Sequence, residues 1–167
     1  APVRTEQPMS LNARNAYEAL KALEGSDQGT GDWFEVSQDR IDGFADVTLD
    51  HQFIHVDPER AAAETPFGGT IAHGFLTLSL LVHLTASLPK AGNSPAGRVM
   101  GINYGFEKVR FISPVPAGVQ IRARNVLSTV EFHAPNAVNT TRTVTVEIEG
   151  KDKPAMVADW VTRGVFA

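Results

Sequence analysis

The sequence predicts an α+β fold in which an antiparallel β-sheet wraps around a long central α-helix. Helical patterns fill the first half of the chain, and a continuous apolar stretch runs from about Thr70 to Leu88. Because that stretch is apolar nearly all round, we expect it to form a buried helix. Apolar and polar residues then alternate over residues 119–124 and 143–148, the pattern of strands with one buried face. Helices followed by strands indicate an α+β arrangement.

Three helices of the first half are marked by residues that cap helix N-termini. Ser10 precedes a stretch whose apolar residues fall on one face, and Gly25 is a natural stop for that helix. Ser37 can cap a second helix in the same way. Asp57-Pro58 combines a capping aspartate with a proline at the first helical position, which predicts a short helix that ends near residue 64.

The remaining segments are expected to form loops and strands. Residues 25–31 read as a loop, and a short strand follows near residues 33–36. After the apolar helix, strands are expected over residues 99–111 and 155–165 in addition to the two alternating stretches. Residues 149–152 look like the turn of a hairpin.

Length and composition predict a single domain over residues 1–167, with a helical extension at about residues 10–25. The net charge of −4 gives no support for a nucleic-acid partner. No apolar run is long enough to span a bilayer, so we expect no membrane partner. The chain has no cysteine, which excludes disulfides and thiolate metal sites and fits a cytoplasmic protein.

The segment from Asp50 to Asp57 places two carboxylates and two imidazoles within eight residues. Asp50 and His55 can supply a base and an acid for proton transfer at neutral pH. His51 and His55 have the spacing at which two histidines of a helix can share a metal. However, Gln52 stands where the metalloprotease pattern has glutamate, and no further cluster of ligands follows. We therefore predict an acid–base site and no metal.

Three segments of the chain resemble the MaoC-like dehydratase, or (R)-specific enoyl-CoA hydratase, family, and its NodN-like branch most closely. They are Asp50–Pro58 (DHQFIHVDP), Gly69–Phe75 (GTIAHGF) and Asn103–Phe111 (NYGFEKVRF), and they follow the family's order. The resemblance covers nearly all of the chain from about Trp33 onward and implies a single hotdog domain. The family's signature commonly has Asn-Pro where this chain has Gln52-Phe53.

The resemblance implies an enzyme that reversibly adds water to a trans-2-enoyl-CoA and gives an (R)-3-hydroxyacyl-CoA. Asp50 and His55 match the aspartate and histidine that hold the catalytic water. The backbone N–H of Gly74 matches the group that receives the thioester oxygen, as expected of an unpaired N–H at the start of a helix. If Thr70 capped this helix, its carbonyl would take that N–H, so the helix should begin nearer residues 71–73. No cofactor is implied.

For His73, Asn103 and Tyr104, the sequence allows either a structural role or a role in the substrate site. His73 is expected to be a hydrogen-bonding group beside the thioester site rather than a third catalytic residue. Asn103 and Tyr104 either line the substrate pocket or simply lie in the sheet. The resemblance also implies a dimer, in which the sheets of two hotdog subunits join side by side and the substrate pocket lies at the interface between the subunits. We therefore expect a homodimer or a higher homo-oligomer.

Two other functions are compatible with the fold that the resemblance implies. The first is a hotdog thioesterase, a group that usually carries an acid on the central helix, whereas residues 70–88 contain neither Asp nor Glu. The second is a non-catalytic protein that binds acyl thioesters. Retention of both Asp50 and His55 argues against this second reading.

Overall fold

The structure, a computed structural model, describes residues 8–89 and 94–167. Its helices are α1 (Leu11–Lys21), α2 (Gln38–Thr48), α3 (Phe53–Val56), α4 (Pro58–Glu64), α5 (Gly74–Ser79) and α6 (Leu81–Ala86). Its strands are β1 (Asp27–Thr30), β2 (Phe34–Glu35), β3 (Arg98–Phe111), β4 (Gln120–His133), β5 (Ala137–Ile148) and β6 (Met156–Phe166). The predicted α+β class is confirmed.

All strands of the described residues belong to one antiparallel sheet. The order is β1-β4-β5-β6-β3, and β2 pairs with the other end of β4. The long strands β4, β5 and β6 pair over nearly their whole length; residues 134–136 connect β4 to β5, and residues 149–155 connect β5 to β6. Within residues 8–89 and 94–167, β3 pairs only with β6, so this strand of 14 residues forms one edge of the sheet.

The three predicted helix caps are present. The side chains of Ser10, Ser37 and Asp57 each accept a hydrogen bond from the backbone N–H three residues later, at 3.1, 3.2 and 3.0 Å. Each bond satisfies an N–H that the first helical turn leaves without an intrahelical acceptor. The predicted short strand near residues 33–36 is also present, as β2.

The prediction of a loop over residues 25–31 is wrong in part, since β1 lies within it. β1 is short, and its pairing register with β4 shifts between Asp27 and Gly29. Gly29 has a φ of 94°, a left-handed conformation that glycine adopts without strain. The strand was missed because its four residues, Asp-Gln-Gly-Thr, include no apolar side chain that could alternate with polar ones.

The central helix is shorter than predicted and is interrupted. Residues 70–73 are not helical, because tertiary hydrogen bonds hold them extended: Ile71 N–H donates to Ile54 and Ala72 N–H to Val115. Leu80, with a ψ of −7°, separates α5 from α6, although Leu84 N–H still donates to the Leu80 carbonyl. The helical region is also only partly buried. Phe75 and Val82 are 66% and 57% exposed, contrary to the expectation of a helix buried all round.

Two apolar cores lie on the inner face of the sheet, the face that the helices cover. The first core joins α2, α5 and α6 to β4, β5 and β6, and includes Ile41, Leu81, Leu84 and Trp160. The second core packs α1 against the far ends of the same strands, around Leu127. No helix of the described residues combines the length and the hydropathy that a bilayer span requires.

Candidate active site

Three predicted site residues meet where the segment after α2 crosses the extended segment before α5. An oxygen of Asp50, a ring nitrogen of His55 and a ring nitrogen of His73 all lie within 4.8 Å of one another. Leu49 ends α2 with a φ of 63°, and this left-handed residue directs the chain into the segment that carries Asp50. The one-turn helix α3 then places His55 five residues later against the same point.

His55 is held in one orientation by a backbone hydrogen bond. Its Nδ1 lies 2.7 Å from the carbonyl oxygen of Ile71, and because a carbonyl only accepts, Nδ1 must donate. In the neutral imidazole the other nitrogen, Nε2, therefore carries the lone pair. Burial lowers the pKa of His55 below its ordinary 6.5, and the neighbouring His73 acts in the same direction. The Ile71 carbonyl and Asp50 oppose that shift. A neutral His55 can accept a proton at Nε2.

His73 supports both members of the pair. Its ring stacks on that of His55 with centroids 3.8 Å apart, and its Nε2 donates to the Asp50 backbone carbonyl at 3.0 Å. The side chain is 2% exposed, and its Nδ1 is buried without a hydrogen-bond partner among the described residues. His73 thus fixes the backbone of the residue that carries the carboxylate.

The Asp50 carboxylate is open to solvent. Asp50 is exposed, and its Oδ1 accepts one long hydrogen bond of 3.4 Å from the Gln52 N–H. No cationic side chain of the described residues lies within 4.0 Å of it. Its oxygens are therefore available to accept protons from a water molecule placed beside His55.

Gly74 is the first residue of α5, with His73 as the N-cap. The Gly74 N–H has no backbone acceptor within the described ranges, and the Thr70 carbonyl accepts from the Ala117 N–H. This agrees with the expectation of a helix that begins after Thr70. A Cβ at position 74 would lie 3.0 Å from three atoms of the Phe111 ring, so packing also explains the glycine.

A cavity of about 270 Å³ lies beside Gly74. Its walls come from the segment before α5, including Ile71, and from the end of β3 and the turn that follows, including Phe111. Asp50 and His55 do not line this cavity within the subunit. The described part of one chain therefore supplies a wall for a ligand beside the Gly74 N–H. It does not enclose the Asp50 carboxylate and the His55 imidazole in a pocket.

The structure does not bring Asn103 and Tyr104 to this group. Asn103 lines a different cavity, between β3 and α6, together with Trp160. Tyr104 is 59% exposed, and the guanidinium of Arg163 lies 4.4 Å from the centre of its ring. Within one subunit, both residues are parts of the edge strand rather than of the site.

Gln38 is a site residue that sequence reasoning missed. Its Nε2 donates to the His55 backbone carbonyl at 2.7 Å, and its Oε1 accepts from the Thr70 hydroxyl. One side chain thus ties α2 to α3 and to the extended segment before α5. The only sequence signal is its place next to the capping Ser37, and that signal does not indicate such a role.

The stacked imidazoles are a poor pair of ligands for one metal ion. His55 Nδ1 and His73 Nε2 donate to backbone carbonyls, so only His55 Nε2 and His73 Nδ1 could bind a metal. Their lone pairs lie in the ring planes, and these planes are only 23° apart at a centroid distance of 3.8 Å. Two such lone pairs do not converge on an ion about 2 Å from each. His51, the other residue of the predicted metal alternative, pairs with exposed Asp46 at 2.8 Å.

Comparison with known proteins decides the family. A family model described as "MaoC like domain" matches residues 20–150, most of the chain. The chain belongs to the MaoC-like family. The resemblance predicted from the three sequence segments is thereby confirmed.

Individual members of this family are similar along most of their length. Nodulation protein N of Rhizobium leguminosarum bv. viciae is 53% identical over 139 residues, which are 83% of this chain and 84% of that protein. The 3-hydroxyacyl-thioester dehydratase Z of Mycobacterium tuberculosis is 48% identical over 146 residues, 87% and 93% of the two chains. An (R)-hydratase from A. caviae has a TM-score of 0.64 at 22% identity, over 82% and 95% of the chains. This last likeness confirms the hotdog fold.

Proposed function

We propose that this MaoC-like protein is an (R)-specific enoyl-CoA hydratase, which reversibly adds water to a trans-2-enoyl-CoA to give an (R)-3-hydroxyacyl-CoA. The observation that carries the proposal is the meeting of Asp50 and His55, since a carboxylate oxygen of Asp50 and a ring nitrogen of His55 lie within 4.8 Å of each other. The name of the mycobacterial relative, a 3-hydroxyacyl-thioester dehydratase, describes the reverse of the same reaction. The (R)-hydratase with the same fold supports the stereochemistry.

The reaction requires two proton transfers, one from water to the Asp50–His55 pair and one from the pair to the substrate. Water loses one proton to the pair as its oxygen bonds to Cβ of the enoyl group, and the pair returns one proton to Cα. Asp50 as a carboxylate and His55 as a neutral imidazole both accept hydrogen bonds from such a water. Because one proton is taken and one is given, the pair ends each turnover with the number of protons it had at the start.

Addition at Cβ places negative charge on the thioester oxygen, which needs a hydrogen-bond donor already in position. The Gly74 N–H is the proposed donor, since no backbone carbonyl of the described residues takes it. The cavity beside Gly74 gives the thioester a place to lie against this N–H. The proposal depends on the free N–H rather than on the helix dipole, because α5 has only six residues.

We further propose that the active protein is a homodimer in which β3 meets its copy. β3 is an exposed sheet edge, and large apolar side chains on it are exposed: Val99, Met100, Ile102, Tyr104, Phe106 and Phe111. An exposed edge strand with this apolar content is a favourable pairing surface. A second subunit there would also give Phe75 and Val82 a cover and close the site that one chain leaves open.

The test is an assay with crotonyl-CoA that follows two signals at once, the absorbance of the conjugated thioester and the release of free thiol. We expect loss of absorbance without thiol release. Thiol release would instead indicate a thioesterase, and no change in either signal would indicate a protein that only binds thioesters.

Single substitutions at the pair test the assignment of the catalytic residues. Asp50→Asn and His55→Gln are each expected to lower kcat by at least roughly a hundredfold, since each removes a proton-transfer group. Asp46→Asn is the matched control, because Asp46 is an exposed carboxylate a few residues earlier whose side chain pairs with His51. Circular dichroism checks that each variant is folded. Near-normal turnover in either Asp50→Asn or His55→Gln would remove the proposed pair.

A further inference from the structure

A band of polar side chains crosses the inner face of the sheet between the two apolar cores. Arg142 lies in the middle of this band on β5, opposite Leu127 on one side and Trp160 on the other. Leu127 belongs to the second core and Trp160 to the first. Asn125 and Thr162 extend the band onto β4 and β6. A charged residue is rarely placed between two cores unless it has a partner.

Among the described residues, the hydrogen bonds of the Arg142 side chain go only to hydroxyl groups. One terminal nitrogen, Nη1, donates to the Thr140 hydroxyl at 2.6 Å and to the Thr162 hydroxyl at 3.3 Å. No carboxylate of residues 8–89 or 94–167 lies within 4.0 Å of its guanidinium. Burial and the positive charge of Arg98 both lower the pKa of Arg142. The charge is thus partly desolvated and lacks a counter-charge, which costs free energy.

Arg98 brings a second guanidinium to the same place. It begins β3, and its side chain folds over Gly101: a Cβ at position 101 would lie 1.8 Å from Nη2 of Arg98. The missing side chain of Gly101 therefore gives the guanidinium its space. Two like charges held near each other repel, and an anion between them would turn this repulsion into attraction.

Both arginines line two adjoining cavities under the helices. The cavities have volumes of about 430 and about 180 Å³, and Gln28, Arg98, Arg142 and Thr162 line both. The walls of the larger cavity also include the apolar side chains of Val82, Leu88 and Trp160. A concave site of a few hundred Å³ with apolar walls and a few polar groups is typical of small-molecule sites.

Asn125 adds an unsatisfied polar group to the larger cavity. It is 1% exposed, and its Oδ1 has no hydrogen-bond partner within the described chain. A buried amide without a partner is unfavourable, so a ligand that bonds to it would be stabilised. Rotation of the amide by half a turn presents its NH₂ group instead, which suits an anionic oxygen.

We propose that this cavity binds the carboxylate of a small organic acid, with Arg142 and Arg98 as its cationic contacts and the apolar wall beside its hydrocarbon part. A planar guanidinium pairs with a carboxylate through two parallel hydrogen bonds. Inorganic phosphate offers the charge but would leave the wall of Val82, Leu88 and Trp160 without a contact. The site is distinct from the Asp50–His55 pair, so it does not depend on the proposed hydratase activity.

Calorimetric titration of the full chain with hexanoate tests the proposal. We expect saturable binding at one site per subunit, with no comparable binding of the neutral hexanamide and weaker binding of inorganic phosphate. Arg142→Met and Arg98→Met should each raise the Kd of hexanoate by at least roughly tenfold, since each removes a charged hydrogen-bond donor. Arg124→Met is the matched control, because Arg124 is exposed and its long contact with Glu147 measures 3.9 Å.

Two further readouts separate ligand binding from a structural role. Without ligand, Arg142→Met should not lower the melting temperature, because methionine keeps much of the volume and removes a charge without a counter-charge. His55→Gln should bind hexanoate like the unmodified protein. The proposal is overturned if hexanoate does not bind, if hexanamide binds equally, if Arg142→Met binds normally, or if His55→Gln abolishes binding.

Discussion

His55 shows how a backbone contact sets the chemistry of a side chain. The Ile71 carbonyl requires a proton on Nδ1, so in the neutral ring Nε2 is the acceptor. Burial then favours the neutral ring by lowering its pKa. The segment that leads to α5 therefore sets the orientation and the tautomer of His55, while burial favours its neutral form. His73 extends this control to the Asp50 backbone.

The lowered pKa of His55 predicts its titration. By NMR, the His55 ring signals, identified by comparison with His55→Gln, should titrate with a midpoint below pH 6.5, the ordinary value. In the unfolded chain the ring takes its proton near pH 6.5, while in the folded chain it does so only at lower pH. The contribution of His55 to stability is therefore present above pH 6.5 and decreases as the pH falls from there to the folded midpoint. A midpoint at or above 6.5 would contradict this account of the site.

The proposed role of Gly74 rests on its backbone N–H, and proline removes that group. Proline is well tolerated at the first position of a helix, and the preceding His73, with φ −58° and ψ 137°, has the conformation that a following proline prefers. Gly74→Pro should lower kcat by about a hundredfold, the typical loss for one oxyanion donor. Gly74→Ala, which retains the N–H but also meets the Phe111 ring, is the control. Equal kcat values for the two variants would show that bulk, not the N–H, matters.

At the residue scale, the sequence predicted the groups that share a short segment or a motif. Asp50 and His55 lie five positions apart, so one turn and one short helix suffice to bring them together. The contribution of Gln38 could not be predicted, because its bonds to His55 and Thr70 depend on how α2 packs against two distant segments. Asn103 and Tyr104 belong to a segment that matches the family, but within one subunit they lie away from Asp50 and His55.

At the scale of elements, local signals determined the ends of helices, and tertiary contacts overrode them elsewhere. The capped starts of α1, α2 and α4 were predicted because each cap is a bond within one turn. The apolar pattern placed the start of the next helix near residue 70, whereas α5 begins at Gly74, because hydrogen bonds from distant segments hold residues 70–73 extended. The exposed Phe75 and Val82 misled the burial prediction, since apolarity alone does not reveal which surface will cover a residue.

The edge strand β3 carries a prediction about assembly. Light scattering at assay concentration should give the mass of a dimer or a larger assembly, whereas a monomer would contradict the proposal. Ile102→Lys should raise the dimer dissociation constant by at least roughly tenfold, because a charge on an apolar pairing surface must be desolvated. Val47→Lys is the control, since Val47 is 80% exposed and lies on α2 rather than on β3. Equal dissociation constants for both variants would place the interface elsewhere.

At the scale of the whole molecule, one sheet supports two proposed sites of different chemistry. The first core positions α5 and the segment before it, and thereby Gly74, His73 and the Asp50–His55 pair. The space between the two cores contains the arginine-lined cavities. The sequence predicted the sheet and its helices from alternation and caps. It did not predict the gap between the cores, because that gap depends on which inward-facing residues of three strands become neighbours.

The central claim is that Asp50 and His55 add water to one face of an enoyl thioester. The most direct measurement is the configuration of the 3-hydroxybutyryl-CoA formed from crotonyl-CoA, determined by chiral chromatography of the released acid. The account predicts the (R) product from the unmodified protein and essentially none from His55→Gln. An (S) or racemic product, or the same yield of (R) product from His55→Gln, would contradict it.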